Sequence, residues 1–307
     1  MHPIHIALGI LIAAVWGFNF VMLHIGLQQV SPPMLCLARF FFASIPAVFF
    51  IKKPNVSFKT IALYGFLSFS AQFILLFIAL DTGMPIGLAS IVTQTHVFFT
   101  IFIAYFFLNE RPNAWQIIGA IVAFGGIVLI GLHVTDEVSL LGLVLILGAA
   151  LSWGFGNVVA KKIGKVNMLS LVVWSSLFAW PPVLLLALYT DGLGTIFYTF
   201  THLSWTSIGA ITYVVILSTL FGFALWNDLL TKYPAVMIAP FTLLVPIFGM
   251  LSGTLFLGES LAHWKLYAAA LIISGLGINL LGQRLMLRMG RRSAIKVNET
   301  LEASEIV

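Results

Sequence analysis

The chain has 307 residues, 61% of them hydrophobic and only 8% charged, with a formal net charge of +5. A soluble domain carries about 25% charged residues. This chain therefore has too little polar surface to stay in water, and a membrane-embedded protein is the class that fits. The positive charge is not a nucleic-acid signal, because the basic residues fall in short loops and a tail, and the single cysteine, Cys36, excludes an internal disulfide.

A spanning helix needs about 20 mostly apolar residues. The sequence predicts ten, at 4–28, 32–51, 59–80, 84–108, 114–132, 139–160, 168–190, 204–229, 234–257 and 263–283. The first lacks a small-residue cleavage site before the polar loop that follows, so it reads as a span and not as a removable signal. The longest predicted loop, 191–203, holds Asp191 and His202.

Two stretches recur. Trp16-Gly17-Phe18-Asn19 in the first segment returns as Trp153-Gly154-Phe155-Gly156-Asn157 in the sixth. Met84-Pro85 leads through an apolar run to Leu108-Asn109-Glu110-Arg111, and Tyr233-Pro234 leads in the same way to Leu257-Gly258-Glu259-Ser260. Such repetition means two copies of one unit. The sequence divides into a first five-helix unit over 1–133, a second over 138–285, and a tail over 286–307.

Placing the N-terminus in the cytoplasm puts all of the 15 basic residues except Arg39 and Lys265 in inner loops and the tail, as the positive-inside rule requires. Both termini are then cytoplasmic. Five helices is an odd number, so the second unit runs opposite to the first across the membrane. The predicted fold is an all-α membrane protein of ten transmembrane helices in a 5+5 inverted-topology repeat. Inverted repeats are common in secondary transporters, with substrate held near the midplane between them.

Polar residues at membrane depth are expensive and each needs a reason. Trp16 with Asn19, and Trp153 with Asn157, share helix faces near mid-span, too deep for interfacial anchoring. An indole and an amide together make a pocket wall, and packing against Gly17 and Gly154 is the alternative. Gln72 is central in the third segment. Gln94 and His96 stand among Thr93, Thr95 and Thr100 in the fourth, the most polar patch in any span. His96 is a hydrogen-bonded core residue, a cavity-lining group or a proton carrier. Arg39 either meets backbone carbonyls and the outer interface or holds a substrate carboxylate. Glu110 and Glu259, repeated at helix ends, are expected to be architectural. Pro240 and Pro246 make the ninth segment the expected bending element, since proline frees backbone groups, and the fourth has no proline at those positions.

There is no Gly-rich phosphate loop, no HExxH and no metal-spaced Cys/His cluster, so no cofactor or metal is expected. No soluble nucleotide-binding domain is present to drive a pump. An intramembrane enzyme would need a nucleophile and base that the chain does not display. A site with Arg39 as its sole membrane cation, and no mid-helix carboxylate, disfavours polyanions and organic cations. Small neutral or zwitterionic solutes remain.

Trp16-Gly17-Phe18-Asn19, Arg39, Gly83-Met84-Pro85, Glu110 and Glu259 resemble the EamA branch of the drug/metabolite transporter superfamily over residues 1 to about 285. The stretches Gly83-Met84-Pro85-Ile86-Gly87-Leu88-Ala89-Ser90 and Phe98-Phe99-Thr100 are similar to those of its O-acetylserine/cysteine exporters. The resemblance implies a central cavity lined by the first, third, fourth, sixth, eighth and ninth helices, with Trp16, Asn19, Gln72, Gln94, His96, Trp153 and Asn157 on or near its wall. It implies export of amino-acid-like metabolites across a bacterial inner membrane by alternating access, in contact with membrane lipid. Other amino acids or small drugs are the alternative cargo. Monomer and homodimer both stay open.

Overall fold

The computed structural model describes residues 1–82, 89, 92–132, 140–258, 263–264 and 266–282. Regular structure among them is helical throughout. Seven helices are long and apolar enough to cross a membrane, and His96–Leu108, Ala114–Leu129 and Leu266–Gly282 are shorter apolar helices. Gly83 to Leu88, Ser90, Glu259 and the tail 286–307 lie outside the described residues.

Helix α1, Pro3–Leu27, opens with proline at its first position, where the missing N–H costs nothing. Helix α2, Pro32–Ser44, is capped by Ser31. The sequence predicts one helix over 32–51, but α2 stops before Pro46 and the chain resumes as the single turn Ala47–Phe50, because proline cannot supply the N–H that a continuous helix needs there. Ser44 Oγ instead donates to the Phe40 and Phe41 carbonyls. Helix α3 starts at Phe58 with Ser57 as cap. It widens into a π-helical turn at Phe66–Ala71 and continues as Gln72–Asp81.

Helix α4 runs His96–Leu108 and ends on Asn109 at φ 54°. The predicted span 84–108 is not one continuous helix, since Gln94 and Thr95 form a turn. No proline breaks it. Thr93 Oγ1 donates to Ala89 O at 2.7 Å and Thr95 Oγ1 to Val92 O at 2.7 Å. These side chains occupy carbonyls that the helical ladder would otherwise use, which is how Thr competes with helix. Helix α5, Ala114–Gly131, starts with a reciprocal box in which Gln116 N–H donates to Asn113 Oδ1 and Asn113 N–H to Gln116 Oε1.

Helices α6, Leu140–Ile163, and α7, Met168–Thr190, follow. The predicted loop 191–203 contains a helix, α8, Gly192–Thr201. Its aromatic residues Phe197 and Tyr198 are exposed while Ile196 is buried. Helix α9 begins at Trp205, passes through a second π-helical turn at Val214–Phe221 and ends at Lys232. Helix α10 has three parts, an α turn at Ala235–Ile238, a 3-10 stretch at Ala239–Leu244 around Pro240, and the helix Val245–Leu257, closed by Gly258 at φ 70°. Helix α11 is Leu266–Gly282.

The recurring glycines set two close helix crossings. Gly17 of α1 lies against Phe248 and Gly249 of α10, and Gly154 of α6 against Phe99 and Thr100 of α4. A side chain at either position would collide with the neighbouring helix. Contacts between loops sort the helix ends into two groups. At one end, His5 Nδ1 meets Tyr233 Oη at 2.7 Å, Lys161 pairs with Glu110, and Ser170 Oγ donates to Lys52 O. At the other, Gln29 bridges His202 and Ser204, and Ser31 donates to Asp191 at 2.9 Å.

Candidate functional site

The core between α1, α4, α6 and α9 is an aromatic cluster. Trp16 packs against Trp153, Phe223 and Trp226 with ring centroids 5.8, 5.2 and 5.4 Å away. Trp153 stacks on His96 at 3.7 Å and 16°. The two recurring tryptophans, far apart in sequence, are thus in direct contact.

The π-helical turn of α9 supplies polar anchors for this cluster. A π turn leaves some carbonyls without their usual partner and is frequent at functional sites. Trp16 Nε1 donates to Ser218 O at 3.0 Å. Arg39 Nε donates to Thr219 Oγ1 at 2.7 Å, and Arg39 Nη2 to Ser218 Oγ at 3.2 Å. The guanidinium also faces the Phe73 ring at 4.8 Å. Arg39 therefore joins α2 to the π turn of α9. The sequence offered backbone carbonyls with the outer interface, or a substrate carboxylate; the partners here are side-chain hydroxyls.

His96 is fully buried. Its Nδ1 lies 3.0 Å from the Thr93 carbonyl and so donates to it. Its Nε2 lies 3.1 Å from Thr242 Oγ1, whose single hydroxyl hydrogen serves either that nitrogen or Ala239 O at 2.8 Å. One imidazole thus links the break in α4 to the 3-10 stretch of α10. Asn157 is engaged on both sides of its amide, donating to Thr100 Oγ1 at 3.0 Å and accepting from Trp226 Nε1 at 2.9 Å.

Asn19, Gln72 and Gln94 behave differently. All three are buried, and the side-chain oxygen of each has no hydrogen-bond partner; the Trp153 indole N–H is likewise buried and unpartnered. An unmet buried polar atom costs about 1–3 kcal/mol, and these four are joined among the described residues by Ser68 Oγ, Ser175 Oγ, Trp180 Nε1, Asn227 Oδ1 and Asn279 Oδ1. Asn19 lies one turn beyond Trp16 on α1, Gln72 follows the π turn of α3, and Gln94 sits in the break before α4. Of the three only Asn19 is on a helix that builds the aromatic cluster, and none is hydrogen-bonded into it through its oxygen. Among the described residues no group of three His, Cys, Asp or Glu could hold a metal ion.

Sequence reasoning missed Thr242, Ser218, Thr219, Phe223 and Trp226. Ser218-Thr219 inside an otherwise apolar run was a readable signal. Across the cluster it is Thr242 that meets His96. Glu110 falls where an architectural carboxylate should. Its Oε2 accepts from Ala235 N–H at 2.7 Å, at the start of α10, while Lys161 binds it and the Tyr233 carbonyl.

Apolar helices interrupted at mid-depth around buried, uncharged polar groups define a helical membrane protein of the kind that takes a small solute into its interior. The chain belongs to the EamA-like transporter family, which matches it twice, over residues 3–132 and 140–281. It is 38% identical to a protein of Escherichia coli K12 named "Probable amino-acid metabolite efflux pump", over 94% of this chain and 97% of that one. It is 37% identical to the protein of the same name from Salmonella typhimurium LT2, over 90% and 95%. A protein of Bacillus subtilis 168 named "Uncharacterized transporter YoaV" is 26% identical over 90% and 97%. A solved crystal structure shares the fold at a TM-score of 0.73 and 15% identity, covering 92% of this chain and 99% of that one.

Proposed function

We propose that this protein is a secondary transporter that exports small neutral or zwitterionic amino-acid-like metabolites, of the O-acetylserine and cysteine type, across a bacterial inner membrane by alternating access. The observation that carries this reading is that the oxygens of Asn19, Gln72 and Gln94 and the indole N–H of Trp153 are four of the nine buried side-chain polar atoms without partners among the described residues. An α-amino acid offers the complement, with ammonium hydrogens for amide oxygens and a carboxylate for an N–H donor. Trp153 and Trp16, packed on each other, supply an apolar plate for the rest of the solute. His96, Asn157 and Arg39 hold the wall in place. The reading is not that of an enzyme, because the site presents no nucleophile and base.

The scaffold proposed is the ten-helix 5+5 inverted repeat, with units over 1–133 and 138–285 and a cytoplasmic tail over 286–307. Several pairs of features support it. Gly17 on α10 is mirrored by Gly154 on α4. The π turn of α3 is mirrored by that of α9. The left-handed Asn109 that ends α4 is mirrored by Gly258 at the end of α10. Both termini are proposed to be cytoplasmic, since the end that gathers His5, Lys52, Lys161 and Lys232 is the basic one.

The test is counterflow in proteoliposomes with a panel of amino acids that includes cysteine and O-acetylserine. Saturable exchange of one of them supports the proposal. Exchange of none, by protein that is folded in the same vesicles, refutes it.

A further inference from the structure

A groove of about 540 Å³ opens between the α2–α3 connection and the α6–α7 connection, lined by residues that include Phe50, Lys52, Lys53, Asn55, Lys165 and Asn167. It belongs to no part of the aromatic cluster. We propose that it is a headgroup site for an anionic glycerophospholipid.

Charge is the first argument. Three lysines and no acidic residue line the groove. Lys53 is partly spent, with its ammonium on the Val56 carbonyl at 2.6 Å and over the Phe58 ring at 4.7 Å. Lys52 and Lys165 are exposed. The ion pairs formed among the described residues involve Lys161 and Lys232 instead. Two unpaired ammonium groups at one concave surface suit a phosphate diester.

The floor is built. Trp174 Nε1 donates to Ile51 O at 2.9 Å, and Ser170 Oγ donates to Lys52 O. These bonds fix the α2–α3 connection on α7, so the two lysine-bearing loops keep their spacing without a ligand. Asn167 spends its oxygen on the Ser170 N–H at 3.0 Å, which leaves its NH2 as a donor.

Position selects lipid over free phosphate. The groove lies at the ends of four membrane helices, where headgroups are. Beside it Phe49 and Phe50 are 77% and 83% exposed, an apolar surface level with the first methylenes of an acyl chain. A soluble anion would have no use for those rings.

Native mass spectrometry of the full-length protein in detergent tests this. The protein is titrated with phosphatidylglycerol and, separately, with phosphatidylcholine of the same acyl chains. Selective retention of phosphatidylglycerol is expected. It should fall ~30-fold in the Lys52→Gln/Lys165→Gln double variant, at about 1 kcal/mol per lysine, and return in Lys52→Arg/Lys165→Arg. The control Lys59→Gln/Lys162→Gln removes two other exposed lysines and should leave retention unchanged. Equal retention of the two lipids overturns the proposal. So does an equal loss in both Gln double variants, which would mean diffuse surface charge. Displacement of phosphatidylglycerol by inorganic phosphate at equal concentration would make the groove a free-anion site and end the lipid assignment.

Discussion

The Trp153 indole and the His96 imidazole lie face to face, 3.7 Å between centroids and 16° from parallel. This contact makes His96 the back of an aromatic plate. The imidazole nitrogens point along the plate to Thr93 and Thr242, and the Trp153 N–H at the other edge meets nothing in the protein. Of the two rings, the indole keeps the free donor.

Trp153→Phe keeps a plate and removes that donor. No protein hydrogen bond is lost, but the smaller ring leaves a cavity in the core, so stability should fall by about 1–2 kcal/mol. The apparent KM for exchange should rise about 5–10-fold, the worth of one hydrogen bond at about 1–1.5 kcal/mol. Trp153→Ala removes the plate as well and should destabilise by about 3–5 kcal/mol. Melting in detergent and counterflow kinetics on the same preparations separate the two effects. An unchanged KM in Trp153→Phe would take the indole N–H out of the site.

The amides divide in the same way. Asn157→Ala strands the buried Trp226 N–H and the Thr100 hydroxyl, a loss of about 1–3 kcal/mol in stability. Asn19→Ala, Gln72→Ala and Gln94→Ala strand nothing, because their oxygens have no partner to lose. Losing only packed atoms, they should melt closer to the parent than Asn157→Ala and still lower efflux about tenfold, at about 1.4 kcal/mol for each lost contact to substrate. Three variants with full efflux would reduce these residues to passive packing.

Much of this was readable in the sequence, and the exceptions share a cause. The recurring Trp-Gly-Phe stretches marked both tryptophans, and composition alone required a membrane. The recurring carboxylate marked Glu110 as architectural, though not its partners, Lys161 and the start of α10. What stayed hidden was backbone detail inside apolar runs. Phe66–Ala71 and Val214–Phe221 read as ordinary helix, since nothing in Phe-Leu-Ser-Phe-Ser-Ala demands a π turn. The break at Gln94–Thr95 carries neither proline nor glycine, and only the threonine hydroxyls bonded to backbone beside it set it apart. Arg39 stayed ambiguous for the same reason, because its partners Ser218 and Thr219 are presented by one of those unreadable turns.

Glu110 is placed to latch one end of the bundle. It binds Lys161 of α6 and the Ala235 N–H of α10 at once, so α4, α6 and α10 separate there only if it lets go. Glu110→Ala should favour the state open at that end by about 1 kcal/mol, the worth of a partly exposed pair, or about fivefold. Met237, buried in the first turn of α10, is the reporter. A Met237→Cys protein reacts with a membrane-impermeant maleimide only when that end opens, and the native Cys36 is buried. The labelling rate should rise about fivefold with Glu110→Ala and less with Glu110→Gln, which keeps an acceptor for Ala235. Equal rates in all three would mean that the contact is no latch.

The two glycines that follow the recurring tryptophans give a graded test of the packing. A methyl group on Gly154 would stand 2.9 Å from Phe99 Cβ and 3.1 Å from Thr100 N. One on Gly17 would overlap Phe248 Cβ and stand 2.8 Å from Gly249 N. Cβ and backbone atoms cannot swing aside as a flexible side-chain end can, so the helices themselves must part, at about 1–3 kcal/mol for overpacking of this kind. Gly17→Ala meets backbone more closely and should be the costlier of the two. The displaced α1 also carries Trp16, whose indole holds the Ser218 carbonyl at 3.0 Å, so its loss should appear as a shift in tryptophan fluorescence before global melting. Gly154→Ala should lower the melting temperature with a smaller spectral change. A Gly17→Ala protein as stable as the parent would mean that the α1–α10 crossing is looser than these distances require.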